Sequence, residues 1–174
     1  MSRMRYGLAG LLLVAIAAVT LWIASRPEAP ARREFKLAEH ARDARAREID
    51  TRFKQGVVML HAKQYDHALT AFHRVLELAP KLPEAHANMG YTLLGLERYQ
   101  AAHDFFLSAI EIKSSQANAY YGLALALEAL GDLPGAKGAM RTYIHLSRPD
   151  DPHVRKAQAA LWEWEEGDKK AGSK

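Results

Sequence analysis

The sequence predicts an all-α fold: three helix-turn-helix units in a stack, a capping helix after them and one membrane-spanning helix before them. Three observations carry this. First, residues of one type recur every 34 positions. Gly56, Gly90 and Ala124 share a column, as do Tyr65, Tyr99 and Leu133, Ala68, Ala102 and Ala136, and Phe72, Phe106 and Met140. A fixed period without insertions means repeated copies of one supersecondary unit. Second, helix formers are abundant and runs of β-branched residues are absent, while 49% apolar content allows a real core. Third, Gly7–Ala24 holds eighteen residues without a charge.

The elements follow in chain order. At about 1.5 Å per residue the Gly7–Ala24 run spans roughly 27 Å, enough for a bilayer core. Tyr6 and Trp22 stand at its ends, where amphipathic rings favour the interface. A cleaved secretory signal is the competing reading. Its apolar region is normally about 7–15 residues followed by a small-x-small site, whereas Ser25-Arg26-Pro27 follows this run. Residues 1–25 are therefore expected to be an uncleaved anchor. Arginines flank the span on both sides, and a very short N-terminal tail commonly stays in the cytoplasm. With the Ala/Arg-rich style of the chain, the expected location is a bacterial inner membrane, crossed once, with the C-terminal domain periplasmic.

Residues 26–48 are expected to form a proline-stiffened linker and a charged helix continuous with the first repeat. That helix starts near Arg33, and acid-before-base pairs such as Asp43/Arg47 and Glu48/Arg52 support it at i, i+4. The repeats occupy 49–82, 83–116 and 117–149. Their helices are expected near Ala62 (end), Tyr65–Ala79, Pro83–Leu96, Tyr99–Lys113, Ala117–Leu130 and Pro134–Leu146. Lys63-Gln64 and Gly131-Asp132 mark turns, and Pro83 suits a first helical turn. Asp151-Pro152 reads as a cap followed by proline at the first helical position, opening a capping helix over 150–166. Val154, Ala157, Leu161 and Trp164 fall on one face of it, with Trp164 inward and Trp162 more exposed. Residues 167–174 read as a flexible tail.

This 34-residue unit resembles the tetratricopeptide repeat over about Ile49 to Pro149. The small residues that family places where helices cross are matched by Gly56, Gly90, Ala124, Ala68, Ala102 and Ala136. Its bulky packing residues are matched by Tyr65, Tyr99, Phe72 and Phe106, and its closing proline by Pro80. Ser114 and Arg148 depart from that proline, Pro149 being one residue late. Arg52 and His86 replace the early aromatic that Tyr120 keeps. The resemblance implies a right-handed superhelical stack whose first helices line a concave groove. The groove positions map to Phe53, Val57, Leu60, Asn88, Tyr91, Leu94, Asn118, Tyr121 and Leu125. Some members grip a peptide carboxylate with cations and asparagines. Here Phe53, Val57, Asn118 and Gly122 stand at most of those positions, so no such clamp is expected.

Nothing in the chain points to catalysis. There is no cysteine, which removes disulfides, thiolate metal sites and a cysteine nucleophile. No phosphate-binding glycine loop, zinc-protease helix, nucleophile elbow or calcium loop occurs. His61, His67 and His73 are six apart, so neighbours on a helix diverge by about 120° instead of sharing a face. The basic residues form no run interleaved with aromatics, which argues against nucleic acid. The expected protein is a membrane-anchored interaction scaffold or assembly adaptor, not an enzyme, without cofactor or metal. It would bind a protein partner's peptide or helix in its groove. The alternative is an accessory structural subunit built into a larger membrane complex.

Overall fold

The computed structural model describes residues 30–148 and 150–172, with Ile16 and 19–22 besides. Among the described residues from 30 onward, seven helices follow in order: α1 Pro30–His61, α2 Tyr65–Leu78, α3 Pro83–Gly95, α4 Tyr99–Ile112, α5 Ala117–Ala129, α6 Leu133–Leu146 and α7 Pro152–Gly172. The chain divides into two compact units, 1–44 and 45–174, and the repeats lie in the second. Most of the expected Gly7–Ala24 span lies outside the described residues; of it, Ile16 and 19–22 are helical and exposed. Among the described residues no helix is long and apolar enough to cross a membrane.

The helix ends show why the 34-residue unit is so regular. Each first helix hands over to its second through the same turn. Lys63, Glu97 and Gly131 occupy it with φ of 57°, 59° and 84°, the left-handed region. The hydrogen bonds repeat as well. The amide of Gln64 donates to Met59 O at 2.9 Å, that of Arg98 to Leu93 O at 2.9 Å and that of Asp132 to Leu127 O at 2.9 Å. These bonds satisfy carbonyls that the helix end would otherwise orphan. Only the third turn uses glycine, the residue for which positive φ is free of side-chain strain.

Packing inside each repeat is equally periodic. A Cβ built on Gly56 would lie 2.7 Å from the Phe72 ring, and one on Gly90 would lie 2.7 Å from the Phe106 ring. The glycines are therefore a steric demand of the phenylalanines, which are fully buried. Seams between repeats are just as close. A Cβ on Gly122 would intrude on Phe106, and one on Gly95 on Tyr65. Phe106 thus fills its own repeat's crossing and the seam to the next. The core runs through Phe72, Met89, Leu93, Phe106, Leu123, Met140 and Tyr143.

Two boundaries differ from expectation. α1 begins at Pro30, three residues before Arg33; proline fits a first helical turn because its missing amide would be unpaired there anyway. α7 continues to Gly172, where the sequence suggested a flexible tail from 167. Gly167 is a weak stop, costing a helix only about 1 kcal/mol, and Asp168-Lys169-Lys170-Ala171 supply no breaker after it. Within α7, Val154 and Ala157 are buried, while Leu161 and Trp164 pack on the core from its edge. Trp162 is 63% exposed. Val154, Ala157 and Leu161 follow Ala119, Gly122 and Ala126 by 35 residues, one more than the repeat period. α7 therefore presents the face that a first helix turns to the preceding repeat, displaced by the extra residue before Asp151.

Candidate functional site, the face of the first helices

The columns expected to face the groove lie on α1, α3 and α5. Phe53, Val57, Leu60, Tyr91, Leu94 and Tyr121 are half-buried and pack against the core with one side. Leu125 and Asn88 are half-buried too, and Asn118 is exposed. Aromatic contacts fix several of them. Phe53 meets Phe72 edge-on at 5.8 Å between centroids, and Tyr91 meets Phe106 edge-on at 5.0 Å. Tyr121 lies against Tyr143 at 5.1 Å.

Tyr91 is the most committed of these to structure. Its hydroxyl donates to the Asn118 carbonyl at 2.5 Å, tying α3 to α5. Burial pushes its phenol far above the ordinary tyrosine range, and the Tyr121 and Tyr143 phenols add to that. Tyr91 and Asn118 are thus joined directly, with Asn118 Oδ1 also accepting from Gln116 Nε2 at 2.9 Å. The Asn88 carbonyl accepts from the buried Thr92 hydroxyl at 2.8 Å. The columns Phe53, Ala87, Tyr121 and Val57, Tyr91, Leu125 carry no charge.

Charge gathers at the edges of this face. Asp50 pairs with Lys54 at 2.8 Å and Glu84 with Lys113 at 3.4 Å. At the other end Glu128 accepts from Trp164 Nε1 at 2.8 Å, and Arg141 pairs with Glu165 at 2.7 Å, fastening α7. A cavity of about 450 Å³ opens between α1 and the start of α3, lined by Ala46, Ile49, Asp50, Phe53, Leu82 and Glu84. Of these only Phe53 was singled out from sequence. The signal was present, since Asp50, Glu84 and Asn118 are themselves 34 apart.

The remaining candidates go elsewhere. His86, in place of the early aromatic, leans on Phe105 with ring centroids 5.9 Å apart. Its Nε2 lies 2.8 Å from the Pro80 carbonyl, which only accepts, so Nε2 carries the proton. Buried Nδ1 has no hydrogen-bond partner among the described residues. His61, His67 and His73 are all exposed, and His73 pairs with Glu77 at 3.4 Å. Among the described residues no group of three or more His, Cys, Asp or Glu is placed to hold a metal ion.

Two family models described as tetratricopeptide repeat match the chain, over residues 50–81 and 83–116. The "BBSome complex member BBS4" of Xenopus tropicalis is 31% identical over 115 residues, 66% of this chain and 22% of that protein. The chain thus spans about a fifth of that relative's length. A type III secretion (T3SS) complex from Aeromonas hydrophila is similar at a TM-score of 0.68 and 18% identity, covering 81% of this chain and 99% of that one. The first TPR domain of Spaghetti (RPAP3), bound to the HSP90 peptide SRMEEVD, gives a TM-score of 0.58 at 21% identity, covering 66% and 94%. Residues 50–81 and 83–116 are tetratricopeptide repeats, and the helix-pair stack they form with the segments that follow is a tetratricopeptide-repeat fold.

Proposed function

We propose that this protein is a membrane-tethered adaptor that holds a segment of another protein along the face of α1, α3 and α5. The observation that carries the reading is the uncharged stripe Phe53, Val57, Leu60, Tyr91, Leu94, Tyr121 and Leu125, half-buried but still accessible. An apolar patch of this kind on a protein surface marks an interaction site. An extended segment or amphipathic helix can lay regularly spaced anchors on it. The solved domain of RPAP3 with its bound peptide is a precedent for this fold taking peptides.

The tether is Gly7–Ala24, proposed from its length and lack of charge. The short N-terminal tail before the span supports an exported repeat domain, and the Ala/Arg-rich sequence supports a bacterial inner membrane beside it. Tethering confines both partners to a surface and raises their effective concentration.

The test places a photo-crosslinking residue at Asn118 or Leu125 in the full chain in membranes, with Leu107 on α4 as the control position. The adaptor reading expects a discrete protein adduct from Asn118 and Leu125 and none from Leu107. It also expects Val57→Glu to remove that adduct while helicity by circular dichroism is kept. Equal labelling at all three positions would sink it. Stoichiometric co-purification in mild detergent would favour a fixed subunit of a larger complex instead.

A further inference from the structure

We infer that the cavity between α1 and α3 takes a cationic side chain, arginine or lysine, from the partner segment; this rests on the groove reading above. The cavity has about 450 Å³ and walls of Ala46, Ile49, Phe53 and Leu82. The charged residues lining it are two carboxylates, Asp50 and Glu84. Arginine and lysine have the matching build: a long apolar stem that packs on such walls and a charged head that stays near water.

The surrounding charges are consistent with this. Lys54 Nζ sits 2.8 Å from Asp50 Oδ2, and Lys113 Nζ sits 3.4 Å from Glu84 Oε1. Each pair engages one carboxylate oxygen, so both carboxylates already hold ammonium groups, although neither lysine lines the cavity. The lysine side chains are 72% and 49% exposed; exposed pairs of this kind are worth about 0–1 kcal/mol, so a ligand cation can displace or join them at little cost. Since neither lysine lines the cavity, an acidic side chain entering it would meet the two carboxylates before any ammonium. A neutral apolar one would lie beside two carboxylates without pairing them. The polarity is opposite to what an acidic peptide such as SRMEEVD, bound by the RPAP3 domain, would demand. Across the rest of the face Phe53, Val57, Asn88, Asn118 and Gly122 supply no cation to receive such a peptide.

The experiment uses the full chain in detergent, labelled for amide NMR, and three probes of similar length: n-butylguanidinium, 1-pentanol and pentanoate. Butylguanidinium is expected to shift the amides of Ile49, Phe53 and Leu82 at a concentration about fivefold below that needed for either other probe, the equivalent of about 1 kcal/mol. The isosteric double variant Asp50→Asn with Glu84→Gln should erase that preference while the spectrum stays folded. Equal or tighter response to pentanol or pentanoate overturns the inference, as does a cation preference that survives the double variant. The titration needs no partner protein. It can therefore fail while cross-linking from Leu125 succeeds, and it can succeed while that cross-linking fails.

Discussion

α1 and α5 are copies of one helix in different company. On α5 the residues turned to the preceding repeat are Ala119, Gly122 and Ala126, all buried. The same columns of α3 hold Ala85, Asn88 and Thr92, of which Ala85 and Thr92 are fully buried. On α1 they hold Thr51, Lys54 and Val58, all exposed. The face toward a helix's own repeat does not change in this way: a Cβ added to Gly56 or Gly90 would lie the same 2.7 Å from the Phe72 or Phe106 ring. Contacts within a repeat are therefore set by the repeat itself. Contacts between repeats are set by whether a neighbour is there, and the sequence relaxes where none is.

Substitutions can break that contrast. The largest loss is expected for Phe106→Ala, which empties both the Gly90 crossing and the Gly122 seam and should cost about 3–5 kcal/mol in urea unfolding. Next is Gly122→Ala. Its helix propensity gain of about 1 kcal/mol opposes a Cβ driven into the buried Phe106 ring, and such overpacking costs about 1–3 kcal/mol. A net loss of up to about 2 kcal/mol is expected. The corresponding α1 change, Lys54→Ala, should stay within about 0.5 kcal/mol because its column is open.

Smaller effects test the C-terminal end and the turns. Trp164→Phe keeps an aromatic side chain, though a smaller one, and loses the bond to Glu128; the lost bond alone should cost about 0.5–1.5 kcal/mol and loosen α7 in amide exchange. At the turns, Glu97→Gly should gain about 0.5 kcal/mol, since left-handed backbone strains a side chain by about 1–2 kcal/mol and glycine's greater unfolded-state freedom returns part of that. Gly131→Ala should lose about 1 kcal/mol by the same reasoning. Thermal unfolding of the pair checks both signs. A gain from both changes would show that the three turns are not equivalent.

What was readable in the sequence follows the same division. Gly56, Gly90, Phe72 and Phe106 could be read because steric demand repeats with the period. The inward Trp164 followed from helical spacing, although its acceptor Glu128 did not, since that bond joins elements 36 residues apart. Tyr91 shows the limit on the groove face. Spacing places it there, but only coordinates reveal that its hydroxyl is spent on the Asn118 carbonyl. The cavity that Asp50 and Glu84 line is not legible from the columns, because it is completed by Leu82, a residue in the loop between repeats that no column predicts.

One ring fills both a crossing and a seam at Phe106. Loosening either withdraws support from the other, so the second and third repeats lose the option of melting one at a time. Amide exchange across α3, α4 and α5 should report a single shared opening. A partner lying across Tyr91 and Leu125 would then meet a surface that is either whole or gone.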